Sequence, residues 1–111
     1  MSGIVTLYVT VSDTEQARSL ARTLIDERLA ACANILPGGR SIYRWNGDVV
    51  EEGECYVLFK TRATLADAAV ARLSELHEYD VPCIAVWPWS GGDPRYMAWV
   101  RKNTRDPNDQ G

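Results

Sequence analysis

The chain has 111 residues, of which 46% are hydrophobic and 24% charged, and its net charge is -3. This length and composition are typical of a single globular domain with one core, and they argue against a disordered chain. The acidic balance lacks the clustered basic residues that nucleic acid binding needs, and no apolar run reaches the roughly 18 residues of a membrane span. We therefore expect neither nucleic acid nor a membrane as a partner.

The first two elements are predicted to be a strand and a helix. β-branched residues alternate from Ile4 to Val11, which indicates a central strand. Ser12 to Glu15 has the S-x-x-E form of a capping box, and apolar residues then recur at helical spacing up to Leu29. An amphipathic helix with Ser12 as its N-cap is expected.

A long hairpin is predicted next. Its extended segments are residues 30–36, 41–45 and 48–61. Pro37-Gly38-Gly39 interrupts the first arm, and Asn46-Gly47 indicates a type I′ turn, because both central residues of that turn need positive φ. Gly53 is interpreted as a bulge in the returning strand.

The second half of the chain predicts two more helices and one more strand. They are a helix over residues 64–79, a strand over 81–87 and a helix over 94–102. Asp93 is the expected N-cap of the last helix, with Pro94 at its first position. The domain is expected to span residues 1–104, and residues 105–111 to form a polar, disordered tail.

This order of elements is that of an α+β, ferredoxin-like βαββαβ sandwich with a long hairpin arm and an extra C-terminal helix. Both main helices then cover one face of an antiparallel sheet and leave the other open. The strands carry several large aromatic residues, and the register places some of them on the open face: Tyr8, Tyr43, Trp45, Tyr56, Trp87 and Trp89. Because soluble monomers rarely expose such a patch, we expect self-association; the alternative is an aromatic core within one chain.

Few residues suggest chemistry by their pattern. The three cysteines, Cys32, Cys55 and Cys83, are far apart and odd in number, which predicts reduced thiols and a cytoplasmic location. His77, the single histidine, is interpreted either as a cation at a helix C-terminus or as a ligand. Lys60 ends a buried strand, where its charge requires an ion pair or a bound anion.

Five segments, collinear and at natural spacing, resemble the CutA family of divalent-cation tolerance proteins. They are residues 27–35 (ERLAACANI), 41–47 (SIYRWNG), 59–61 (FKT), 76–82 (LHEYDVP) and 96–100 (YMAWV). The resemblance covers the chain from Ile4 to about Asn103. It implies a ferredoxin-like fold, a tight homotrimer similar to the PII proteins, and a role in metal tolerance or signalling.

The same resemblance implies a ligand pocket at the subunit boundary. Its residues would be Cys32, Trp45, Lys60, His77, Tyr79, Tyr96 and Trp99. Copper or another divalent metal ion is the implied ligand, with His77 as the candidate metal ligand. Cys83 departs from the family, which usually has glutamate there, and as a soft donor it is a weak second candidate. Copper-binding relatives have a cysteine in place of Val9 and a histidine in place of Leu76, so we expect weak copper binding.

Two alternatives remain open on this fold. One is a trimeric scaffold or small-molecule sensor, related to PII-type proteins, that needs no metal. The other is an acylphosphatase-like hydrolase, which requires an anion-binding loop after the first strand. The chain has the acidic Val11-Ser12-Asp13 there, so we expect no enzyme and no catalytic residues.

Overall fold

The computed structural model describes residues 2–106. Its elements are β1 (Ile4–Val11), α1 (Thr14–Asp26), β2 (Cys32–Trp45), β3 (Asp48–Arg62), a 3₁₀ turn (Ala63–Leu65), α2 (Ala66–Leu76), β4 (Ile84–Pro88) and α3 (Pro94–Lys102). The strands form one antiparallel sheet in the order β2-β3-β1-β4. The predicted α+β order with an extra helix is confirmed. Among the described residues, no helix is long and apolar enough to cross a membrane.

The core lies between one face of the sheet and the helices α1 and α2. Leu7 and Val9 of β1 pair with Phe59 and Val57 of β3, and all four side chains are fully buried. Leu24 and Leu73 from the two helices belong to the same cluster. The alternate residues of β1 point to the opposite face, which we call the open face.

The helix α1 begins and ends differently from the prediction. Its N-cap is Asp13 and not Ser12, and the Asp13 carboxylate accepts a hydrogen bond of 2.8 Å from the Gln16 amide. The helix stops at Asp26, because Arg28 takes a positive φ of 59°. The Leu29 amide then donates to the Leu24 carbonyl, which forms a Schellman motif without glycine.

The hairpin of β2 and β3 is the longest feature of the sheet. Asn46 and Gly47 have φ values of 50° and 87°, which confirms the predicted I′ turn. Two other predictions were wrong: β2 continues through Pro37 to Gly39, and the irregularity in register lies there and not at Gly53, which pairs with Arg40. Pro37, which has no N–H to donate, is tolerated here because it lies in a bulge of an edge strand.

The second half differs from the prediction mainly at its boundaries. The helix α2 ends at Leu76 and not near Tyr79, because His77 has extended dihedral angles. β4 begins at Ile84, so the expected first residues of this strand, 81–83, are not paired as a strand. Asp93 caps α3 as predicted, accepting from the Arg95 amide at 2.8 Å.

The end of the described chain is attached to the domain. The Arg105 guanidinium donates two hydrogen bonds to the Glu27 carbonyl, at 2.9 and 3.1 Å, and its amide donates to the Arg28 carbonyl. Arg28 in turn donates to the Lys102 carbonyl. Residues 107–111 of the predicted tail lie outside the described residues, so the disorder expected for them stays a prediction.

Gly39 supplies a test of the hairpin geometry. A Cβ at this position would overlap the ring of Tyr56, whose hydroxyl donates to the Arg40 carbonyl at 3.2 Å. We expect Gly39→Ala to lower the free energy of unfolding by about 1 to 3 kcal/mol, measured in urea. Gly91→Ala is the control, because nothing lies within 4 Å of its added Cβ. Equal costs for the two variants would contradict the overlap.

Candidate ligand site

The structure divides the predicted site residues into separate groups. Cys32, Lys60, Tyr96 and Trp99 belong to the region where the open face meets α3. His77 and Tyr79 follow α2 and contact each other, with ring centroids 4.7 Å apart. Trp45 lies at the tip of the hairpin and is 62% exposed. A single chain therefore does not form one pocket from all seven residues.

The first group is organised by three aromatic rings, Trp89, Tyr96 and Trp99, which we call the aromatic shelf. Tyr96 stacks with Trp89 at 6.1 Å and with Trp99 at 5.6 Å between centroids. The Trp89 indole donates a hydrogen bond of 2.7 Å to the Thr6 hydroxyl. This bond anchors the shelf to the central strand.

Lys60 lies in one row of the sheet with Thr6 on one side and Cys32 on the other. Its side chain is half-buried, and no described carboxylate is close enough to form a salt bridge with it. Burial, followed by the neighbouring Cys32 thiol, raises the pKa of Tyr96 to about 12. The row thus offers an unpaired ammonium group and a neutral phenol, a combination suited to a small anion.

His77 is held by the backbone through both ring nitrogens. Nε2 lies 2.8 Å from the Thr10 carbonyl, and Nδ1 accepts a hydrogen bond of 3.1 Å from the Tyr79 amide. These partners require a neutral ring with the proton on Nε2. The side chain is only 8% exposed. The arrangement fits the neutral imidazole and not the helix-terminal cation considered from the sequence.

Tyr79 connects this region to the hairpin. Its hydroxyl donates to a Glu54 carboxylate oxygen at 3.3 Å. Burial and then the charge of Glu54 raise the pKa of Tyr79 to about 12. The pairing of Glu54 with Tyr79, 25 residues further along the chain, has no local signal in the sequence.

The described part of one chain does not bring a set of metal ligands together. In residues 2–106, no group of three or more His, Cys, Asp and Glu side chains comes close enough to hold a metal ion. The three cysteines are free; Cys83 is exposed, whereas Cys55 is buried and burial raises the pKa of its thiol. Since both nitrogens of His77 are hydrogen-bonded, a metal ion would have to displace one of these bonds.

Two residues of the site were missed as site residues by the sequence reasoning. Thr6 was included only within the predicted first strand, and Trp89 was counted only among the aromatic residues of the open face. No motif joins them, because they lie 83 residues apart in the chain. The pairing of β1 with β4 brings them together.

Comparison with known proteins decides the relationship. The family described as CutA1 divalent ion tolerance protein matches residues 5–103. The chain belongs to this family. The divalent-cation tolerance protein CutA of Thermus thermophilus is 46% identical over 88% of this chain and 95% of its own length. Protein CutA 1, chloroplastic, of Oryza sativa is 41% identical over 92% of this chain, which spans 58% of that relative.

Solved structures of the CutA1 family have the same fold. CutA1 from Ehrlichia chaffeensis superposes with a TM-score of 0.91 at 30% identity, covering 95% of this chain and 98% of its own. CutA1 from Oryza sativa gives a TM-score of 0.90 at 41% identity, covering 93% and 94%. The fold and the family expected from the five sequence segments are therefore confirmed.

The Tyr79 hydroxyl provides a spectroscopic test. We expect its tyrosinate absorbance, identified by comparison with Tyr79→Phe, to titrate near pH 12 and not near 10.0. Because the folded pKa is the higher one, this group's contribution to stability is present below pH 10.0 and is lost as the pH rises towards 12. Glu54→Gln should lower the pKa, since it removes the nearby charge.

Glu51→Gln is the matched control for this titration. The Glu51 carboxylate pairs with Arg40 at 2.6 Å and makes no contact with Tyr79. Two results would contradict the pairing of Tyr79 with Glu54. One is a wild-type Tyr79 that titrates near pH 10.0, and the other is a Tyr79 pKa that changes equally in Glu54→Gln and Glu51→Gln.

Proposed function

We propose that this member of the CutA1 family is a homotrimeric divalent-cation tolerance protein that binds a small ligand or a divalent metal ion where its subunits meet. The observation that carries the proposal is the amount of apolar surface that one chain leaves uncovered. Exposed large apolar side chains follow the open face and the hairpin: Leu36, Ile42, Tyr43, Trp45, Val49 and Trp87. Such a surface is typical of subunit interfaces.

The hairpin supports association in a second way. β2 is an edge strand of 14 residues, so one of its sides has unpaired backbone groups. Ile42 and Val49 are 68% and 63% exposed near its tip, where no described element of the same chain covers them. A closed ring of identical subunits would bury both features. Three subunits is the number implied by the resemblance to PII-like CutA proteins.

We further propose that the ligand binds at the aromatic shelf and Lys60. The shelf is itself partly exposed, with Trp99 at 43% and Tyr96 at 37%, and Lys60 has no carboxylate partner in residues 2–106. An assembly that covered the open face would leave this ammonium group in need of a counter-charge, which a bound anion supplies. The role in metal tolerance comes from the family relationship.

A second candidate is a metal-independent scaffold or small-molecule sensor. This candidate is favoured because both ring nitrogens of His77, the only histidine in the sequence, are hydrogen-bonded to the backbone and so are not free to bind a metal ion. We also propose that the chain is not an enzyme, since His77 is not free to act as a base for any of the cysteines. A cytoplasmic location is proposed from the free cysteines.

The trimer is tested by light scattering after size exclusion. We expect a mass near three times the 12.4 kDa of one chain at micromolar concentration. Trp45→Ala should shift the equilibrium towards smaller species, because it removes the largest exposed apolar side chain near the hairpin turn. Arg22→Ala, an exposed change on α1, is the control and should leave the mass unchanged. A monomer or a plain dimer would contradict the proposal.

Copper binding is tested by anaerobic calorimetry. We expect weak binding by the wild type, because a metal ion at His77 must displace a hydrogen bond to the backbone. His77→Gln should bind copper more weakly still, and Cys83→Ser reports whether the exposed thiol contributes. If the wild type and His77→Gln bind one copper per chain equally tightly, His77 is not the ligand.

A further inference from the structure

The tip of the hairpin carries a reactive pair of residues that the proposed ligand site does not use. Asn46 is followed by Gly47, and this is the one Asn-Gly pair in the sequence. Both residues are exposed, and no side-chain hydrogen bond among residues 2–106 involves the Asn46 amide. The Asn103 amide, by contrast, donates to the Trp99 carbonyl at 2.9 Å. The Asn46 side chain is therefore free to turn towards its own backbone.

The backbone nitrogen of Gly47 is the nucleophile that can close a ring with this side chain. Trp45 and Asp48 are paired across the turn, and no turn or loop hydrogen bond of the described residues begins at the Gly47 amide. Nothing lies within 4 Å of the position that a Gly47 Cβ would take. Glycine can also leave the φ of 87° that it has here at little steric cost. The nitrogen is thus unpaired and sterically open.

Arg44 places a positive charge beside this nitrogen. Its Nη1 atom donates a hydrogen bond of 3.1 Å to the carbonyl of the same glycine, Gly47. A peptide nitrogen attacks a carbonyl carbon only after it has lost its proton, and a nearby cation stabilises the negative charge that forms. Arg44 forms no salt bridge with a carboxylate of residues 2–106, so its charge is not neutralised there.

We propose that Asn46 is a site of spontaneous modification, in which its side chain closes onto the Gly47 nitrogen and reopens as isoaspartate or aspartate. The Gly47 nitrogen gives its proton to solvent and bonds to Cγ of Asn46, and the bond from Cγ to the side-chain nitrogen breaks. That nitrogen takes a proton from solvent and leaves as ammonia. Water then opens the cyclic imide at either carbonyl. Water is consumed and ammonia released, and no oxidant or cofactor is needed.

The isoaspartate product changes the turn. Its main chain runs through the former side chain, which adds a methylene group to a turn that fits two residues of positive φ. A negative charge also replaces the neutral amide. Trp45 and Asp48 then lose the register in which they pair. Trp45 belongs to the subunit contact proposed above, so this consequence rests on that proposal: modified chains assemble less tightly than new ones.

The modification is tested by incubating the whole protein under native, mildly alkaline conditions and digesting it. Mass spectrometry after chromatography separates the amide, aspartate and isoaspartate forms. We expect Asn46 to convert at least about tenfold faster than Asn34, which is also exposed but is followed by the β-branched Ile35. Equal rates at the two asparagines would overturn the proposal. So would an Asn46 that stays unmodified in the folded protein while the free peptide of residues 41–52 converts.

The role of Arg44 has its own variants. Arg44→Gln should slow the conversion about two- to fivefold, because it removes an exposed charge beside Gly47. Arg40→Gln is the control, since the Arg40 guanidinium pairs with Glu51 at 2.6 Å and makes no contact with Gly47. Unchanged conversion in Arg44→Gln, or equal slowing in both variants, would contradict the role assigned to Arg44.

Light scattering of the separated forms tests the consequence for assembly. We expect the isoaspartate form to contain a larger fraction of species smaller than the trimer than the unmodified form does. A trimer that is equally stable in both forms would overturn this consequence. If the unmodified protein is itself not a trimer, the proposed function fails, whereas the conversion rates at Asn46 and Asn34 still decide whether the modification occurs.

Discussion

The central strand β1 is the constraint on which the rest of the fold depends. It is hydrogen-bonded along both edges, to β3 and to β4, and all of its residues except Tyr8 are buried. A strand in this position needs cover on both faces, yet α1 and α2 both lie on one side. The short helix α3 and the aromatic shelf cover only part of the other side. The part of the open face that stays uncovered is the exposed apolar surface that resembles a subunit interface.

The parts of the fold that the sequence predicted well have local causes. Asn46-Gly47 sets its turn because its two residues reach positive φ easily, and Asp93-Pro94 starts α3 by capping and by a fixed φ. The boundaries that were missed depend on distant contacts. Arg28 ends α1 in a conformation usually taken by glycine; its carbonyl accepts from the Arg105 amide, and its guanidinium donates to Lys102, the last residue of α3. No pattern near residue 28 could reveal this.

The candidate site shows the same limit more clearly. The sequence identified Lys60 as a charge in need of a partner, and the structure places it between Thr6 and Cys32, where no carboxylate of residues 2–106 forms a salt bridge with it. The sequence could not reveal that the Trp89 indole donates a hydrogen bond to Thr6. Nor could it reveal that both ring nitrogens of His77 are hydrogen-bonded to the backbone. These contacts depend on the register of the sheet and on where α2 stops. Residue types predicted the possible chemistry, and only the fold decides which groups are free.

The two groups of predicted site residues contact β1 towards its opposite ends. Thr6, near the start of the strand, supports the shelf beside the Lys60 ammonium group, whereas Thr10, near its end, contacts His77. An assembly through the open face would enclose the shelf and leave the helical side of the sheet facing outward. Because Nε2 of His77 lies 2.8 Å from the Thr10 carbonyl, which belongs to β1, the C-terminal end of α2 is in direct contact with the central strand.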